Sequence, residues 1–137
     1  MKNGPTKILV VDDRIEFRRL FELYIQDHAD FEIVGMCFRA DDLEDEIESL
    51  SPDVVVLDLS MPGRDPLEAM ETAKHKYAAV EFLVFSLSDE DETVAKALSA
   101  GATGYMVKEG GFDELADAIR STARGERVTP KPGHSRA

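Results

Sequence analysis

The chain has 137 residues, the size of one ordinary domain, and 43% of them are apolar, enough for a core. Against 28 acidic residues stand only 16 basic ones; the formal net charge of −12 argues against a nucleic-acid surface, so no DNA binding is expected of this chain alone. The single cysteine excludes an internal disulfide, and the absence of a bilayer-length apolar run or a leader-like start leads to the expectation of a soluble, cytoplasmic protein with no membrane contact.

Residues 1–6 read as a short flexible lead. Lys7 to Val11 is the first buried strand, with Asp12 and Asp13 at its carboxyl end. Ile15 to His28 has helical spacing, with Phe17, Leu20, Phe21 and Tyr24 on one face. Phe31 to Met36 is a second strand, and Cys37 beside it is expected to be a packed thiol. Asp41 to Leu50 is a second helix that turns Leu43, Ile47 and Leu50 inward. Ser51-Pro52-Asp53 breaks it and leads into Val54-Val55-Val56-Leu57, an unbroken apolar run of the kind that parallel sheets bury on both faces.

That run ends on Asp58, and Pro62 stops any continuation. Leu67 to Tyr77 is a weaker helix with Leu67, Met70 and Ala73 inward. Glu81 to Phe85 is the fourth strand, ending on Ser86. Asp89 to Ala100 is the fourth helix, opened by acidic residues that suit its dipole and stopped by Gly101. Gly104 to Val107 is a short fifth strand ending on Lys108, Gly110-Gly111 a turn, and Phe112 to Arg124 the last helix, with Leu115, Ala116 and Ile119 inward. The folded body is thus expected over residues 7–127, with 128–137 as a tail or the start of a linker.

Five strands alternating with five helices predict an α/β fold: a parallel sheet covered on both faces, a flavodoxin-like three-layer sandwich of strand order 2-1-3-4-5. In that order the first and third strands are neighbours where the sheet reverses direction, so Asp12, Asp13 and Asp58 converge in one crevice, with Ser86 and Lys108 on the same sheet edge. Taken singly, Asp12-Asp13 also suits a turn and helix cap, Ser86 an ordinary strand end, and Lys108 a solvated charge. Taken together, three mutually repelling carboxylates call for a lysine and a hard divalent cation, Mg²⁺ or in its place Mn²⁺. A metal and Lys108 beside Asp58 would prepare that carboxylate to attack a phosphoryl group, with Ser86 donating to a phosphoryl oxygen.

The motifs resemble those of the receiver domains of bacterial two-component response regulators, over roughly residues 7–127. Val10-Val11-Asp12-Asp13 is similar to the family's acidic pair, Asp58-Leu59-Ser60-Met61-Pro62-Gly63 to its phosphoacceptor motif, Phe85-Ser86-Leu87-Ser88 to its switch hydroxyl, and Gly101 to Lys108 to its lysine segment, with Tyr105 at the switch aromatic. The resemblance implies phosphotransfer to Asp58 from a sensor histidine kinase or phosphotransfer protein. It implies Mg²⁺ on Asp13, Asp58 and the backbone carbonyl of Ser60, with Asp12 reached through water. As Ser86 moves toward the phosphoryl group, Tyr105 would turn from exposed to buried and reshape the surface of the fourth helix, fifth strand and fifth helix; a homodimer formed on phosphorylation is a further implied partner. The segments around Ser86, Tyr105 and residues 118–126 most resemble regulators with a C-terminal helix-turn-helix output domain, although no recognition-helix pattern follows before Ala137. Pro66 stands where the family usually has glycine, and Glu109 replaces a common proline.

Three rivals share parts of this pattern. An aspartyl-phosphate phosphatase needs a second aspartate two residues after the first, where Ser60 stands. A flavin carrier needs a hydroxyl-rich phosphate loop after the first strand, where Asp12-Asp13 would repel the phosphate. A degenerate receiver acting as a phosphorylation-independent binding module would usually have lost one of the five site residues.

Overall fold

The five apolar runs become the strands β1 (Thr6–Val11), β2 (Phe31–Cys37), β3 (Val54–Leu57), β4 (Glu81–Ser86) and β5 (Gly104–Val107) in a computed structural model that describes residues 4–109 and 111–130. Between them lie the helices α1 (Ile15–Ile25), α2 (Leu43–Leu50), α3 (Pro66–Lys76), α4 (Asp91–Ser99) and α5 (Phe112–Ala123). All pairings are parallel and the strand order is 2-1-3-4-5, the flavodoxin-like arrangement expected. The Gly110 half of the expected turn lies outside the described residues, as does most of the expected tail.

Side-chain alternation along the strands divides the interior in two. Leu9, Val11, Val55, Leu57, Phe82 and Val84 point to the face covered by α2, α3 and α4. Ile8, Val10, Val54, Val56, Leu83 and Phe85 point to the face covered by α1 and α5. The central strands are therefore buried on both sides, which is why positions 8–11, 54–57 and 82–85 carry no polar residue.

Several boundaries move for local reasons. Helix α1 stops at Ile25 rather than His28, because the N–H of Gln26 turns back to Leu23 and that of His28 to Ile25. A 3₁₀ turn over Ala40–Asp42 replaces the first turn of the second helix. Helix α3 starts one residue early: Asp65 accepts the N–H of Leu67 at 3.0 Å, and Pro66 takes the first helical position, where its missing N–H costs nothing. The departure at Pro66 thus becomes a helix start. Helix α4 starts at Asp91, after Ser88 Oγ accepts the N–H of Glu90.

Leu20 corrects the expected inner face of α1. It is 54% exposed, while Phe21 is wholly buried and Phe17 and Tyr24 are partly so. The sheet meets α1 along the line of Phe17, Phe21 and Tyr24, and Leu20 falls on the rim of that stripe. Val128 also behaves differently from a simple tail: it bridges Gly104, and its carbonyl accepts the N–H of Tyr105 at 2.7 Å. A Cβ on Gly104 would meet the side chains of Leu83, Thr122 and Val128 at 3.0–3.1 Å, so a larger residue would have to push this edge apart by a few tenths of an ångström.

Candidate functional site

Backbone ladders run one step past the strands and bring the acidic residues together. Asp12 donates its N–H to Cys37 O at 3.0 Å, Asp58 to Val11 O at 2.9 Å, and Lys108 to Ser86 O at 2.8 Å. Each of the five strand ends is thereby tied to a neighbour, around the point where the strand order reverses. Asp12 and Asp58 are each 2% exposed, whereas Asp13 is exposed at the mouth. One oxygen from each of the three lies within 4.8 Å of the others.

Lys108 enters this crevice from the end of β5. Its Nζ donates to Asp58 Oδ1 at 2.8 Å and lies 3.7 Å from Asp12 Oδ2, and its side chain is only 6% exposed. Its aliphatic stem and Phe85 shield that contact, with the ammonium 5.6 Å from the ring centroid. Asp58 Oδ1 also accepts the N–H of Ser60 at 3.2 Å, and no described residue donates to Oδ2. The loop that follows is anchored away from the crevice. Arg64 binds Glu44 at 2.8 Å and donates its N–H to Asp41, and Gly63 adopts φ +94° with its α-carbon against Asp41 Oδ1, where a Cβ would come within 2.6 Å.

Ser86 is buried at the end of β4, but its Oγ accepts the N–H of Ser88 at 3.2 Å instead of reaching Asp58. Tyr105 is wholly buried, and its hydroxyl donates to Ser88 O at 2.7 Å. Ser88 thus bridges the two expected switch residues, one through its N–H and the other through its carbonyl. Cys37 is the packed thiol expected: burial pushes its pKa up, and Sγ donates to Arg39 O.

Arg14 is the residue that sequence reasoning missed. It occupies the cap position of α1 without capping it, and its guanidinium folds back onto Asp12, with Nε 3.0 Å from Oδ1 and Nη2 2.8 Å from Oδ2. The Asp12 carboxylate raises the Arg14 pKa above its ordinary value, chiefly through these bonds. The available signal was position: a cation directly after an acidic pair has a carboxylate within reach.

The donor set is oxygen only, two of its three carboxylates are buried, and the third faces solvent. It fits a hard cation such as Mg²⁺ that keeps part of its water shell. Among the described residues, no helix is long and apolar enough to cross a membrane.

Residues 8–120 match the response regulator receiver domain family. The chain is 35% identical over 124 residues to the nitrate/nitrite response regulator protein NarL of Escherichia coli, covering 90% of this chain and 57% of that protein. It is 33% identical over 122 residues to the response regulator protein VraR of Staphylococcus aureus, covering 89% of this chain and 58% of that one. The chain therefore spans a little more than half the length of these curated relatives. Among solved structures, a LuxR-family two-component response regulator from Aurantimonas is 27% identical with a TM-score of 0.86, over 97% of this chain and 94% of that one. The receiver domain of a NarL regulator from Mycobacterium tuberculosis is 27% identical with a TM-score of 0.82, over 90% and 100% of the two chains. Together with five parallel strands in this order, these matches show that the chain belongs to the response regulator receiver domain family, a regulatory rather than catalytic domain.

Proposed function

We propose that this chain is a phosphorylation-operated switch that takes its phosphoryl group on Asp58 from the phosphohistidine of a sensor histidine kinase or a phosphotransfer protein. The observation that carries this reading is a central-strand aspartate, 2% exposed, held 2.8 Å from a lysine with two further carboxylates alongside. A carboxylate oxygen of Asp58 attacks phosphorus in line; the P–N bond to the donor imidazole breaks, and its electron pair leaves with the nitrogen. Lys108 already touches the carboxylate that must lose charge to the incoming group, so it follows that charge onto the phosphoryl oxygens without reorganising.

Receiver domains bind Mg²⁺ at an acidic pocket, and Asp12, Asp13 and Asp58 form such a pocket here. Asp13, Asp58 and the backbone carbonyl of Ser60 would hold the ion, with Asp12 acting through water. When bound, the ion neutralises the phosphoryl oxygens and allows the acids to sit close together. Ser86 then exchanges the Ser88 N–H for a phosphoryl oxygen, donating its hydroxyl. Because Ser88 also accepts from Tyr105, this exchange is felt at Tyr105 and at the surface of α4, β5 and α5. The phosphoryl group selects the conformer in which Ser86 donates, which is a population shift. The reading places the chain in the cytoplasm, with a homodimer or a linked helix-turn-helix output domain as the recipient of the signal.

Incubation with phosphoramidate and Mg²⁺, followed by intact-mass analysis, is expected to give one phosphoryl adduct in the wild type and none in Asp58→Asn. An adduct of equal yield in Asp58→Asn would overturn the assignment.

A further inference from the structure

Arg14 takes up most of the acceptor capacity of Asp12. Its backbone N–H donates to Asp12 Oδ1 at 2.9 Å, its Nε to the same oxygen at 3.0 Å, and its Nη2 to Oδ2 at 2.8 Å. An ionised carboxylate offers about four acceptor sites, so one residue takes three of them. The fourth, on Oδ2, faces Lys108 at 3.7 Å. Asp12 can therefore accept from a metal-bound water only at this one site, beside the Lys108 ammonium, unless the guanidinium yields a bond.

The guanidinium is built to yield. The Arg14 side chain is 45% exposed, against 2% for Asp12, so solvent reaches the cation but not its partner. Its carbon lies 5.0 Å from the centroid of the Phe17 ring, one helical turn on, and it lines a cavity of about 180 Å³ shared with Phe17, Phe85, Lys108 and Phe112. The aromatic face holds the cation after it leaves Asp12.

We propose that Arg14 is a resident counter-cation of the crevice, a positioning residue that competes with the divalent ion for Asp12 and so sets metal affinity. This rests on the metal reading above. Formally, three carboxylates face two cations, Arg14 and Lys108, leaving one net negative charge for the entering ion; without Arg14 there are two. Repulsion between a unit charge and a divalent charge about 6 Å apart corresponds, even at the dielectric of water, to about a tenfold difference in affinity.

The test is titration with Mn²⁺, read by the loss of its free-ion electron paramagnetic resonance signal, on wild type, Arg14→Ala, Arg14→Gln, Arg14→Lys and Asp13→Ala. Circular dichroism reports folding in parallel. The expected result is binding about tenfold tighter in Arg14→Ala and Arg14→Gln, and near wild-type binding in Arg14→Lys, which restores the charge without the fork. Unchanged or weaker binding in Arg14→Gln, folded and with the wild type binding normally, would overturn the inference and make Arg14 a support for Asp12. Absent binding in the wild type, or unaltered binding in Asp13→Ala, would instead overturn the metal reading.

Discussion

Two lysines meet carboxylates at opposite ends of the same sheet, in opposite surroundings. At the amino end, Lys74 donates to Val80 O at 2.6 Å, to Ala78 O at 2.9 Å and to Glu81 at 3.4 Å. Glu81 in turn accepts the Thr103 hydroxyl. Three donors find three acceptors, two of them backbone carbonyls that cannot move without unfolding the turn before β4. At the carboxyl end, the Lys108 ammonium pairs with carboxylates and no backbone carbonyl among the described residues, and the acids around it outnumber the cations. A satisfied lysine braces the fold. A lysine in excess acid leaves the crevice short of positive charge, and that shortfall is what a metal and a phosphoryl transfer can use.

Lysine removal gives the sharpest test of this contrast. Lys108→Met strands Asp58 in a buried site and is expected to lose about 3 kcal/mol of stability in chelator. It should also slow phosphorylation by small phosphodonors by about 100-fold or more. Lys74→Met strands two carbonyls and is expected to lose about 2 kcal/mol while phosphorylating normally. Urea unfolding with and without Mg²⁺ separates the two. The stabilisation added by Mg²⁺ should be larger in Lys108→Met than in wild type, and unchanged in Lys74→Met. Equal increments in all three would mean that the crevice is not short of positive charge.

Removing an acid should have the reverse sign. Asp13 is exposed beside two further carboxylates, so Asp13→Ala relieves repulsion and is expected to raise stability by up to about 1 kcal/mol in chelator. The same change deletes a ligand, so calorimetric Mg²⁺ binding and the phosphoryl adduct should disappear together. A destabilised Asp13→Ala would place this residue in the brace class with Lys74.

The legibility of the two ends differed in a related way. Strands β1, β3 and β4 announce themselves as apolar runs because both of their faces are buried, and each ends where its first polar side chain reaches the crevice. The positions of Asp12, Asp13, Asp58 and Lys108 therefore follow from strand order alone. Leu20 was misplaced because periodicity defines a stripe but not its centre, and the sheet meets α1 nearer Phe21. Arg14 is not legible because a charged residue at a helix start reads as solvated; its fork closes around Asp12 only once the chain turns out of β1 into α1. The Lys74 brace was invisible because its main partners are carbonyls, which carry no residue signature. Tyr105 was expected to sit at the surface until the switch operates, and it is already buried, because Ser88 O lies where its hydroxyl can donate.

The weakest expected effect probes whether pairing alone makes a brace. Asp30, just before β2, pairs with Arg120 of α5 at 2.8 Å, near the Lys74 end of the sheet. Both side chains are substantially exposed, at 54% and 33%. Arg120 holds the Asp30 pKa below its ordinary value, first through their hydrogen bond. A carboxyl group depressed on folding contributes stability that is fully present above its unfolded pKa and is lost as pH falls through the folded one. Solvent screening limits that contribution to about 0.5 kcal/mol. Asp30→Asn should therefore be slightly less stable than wild type at pH 7 by urea unfolding. The difference should shrink as pH drops below about 4, where the unfolded carboxyl begins to protonate. A loss at pH 7 as large as that of Lys74→Met would mean that ion pairing, rather than burial and fixed carbonyl partners, is what braces this end of the sheet.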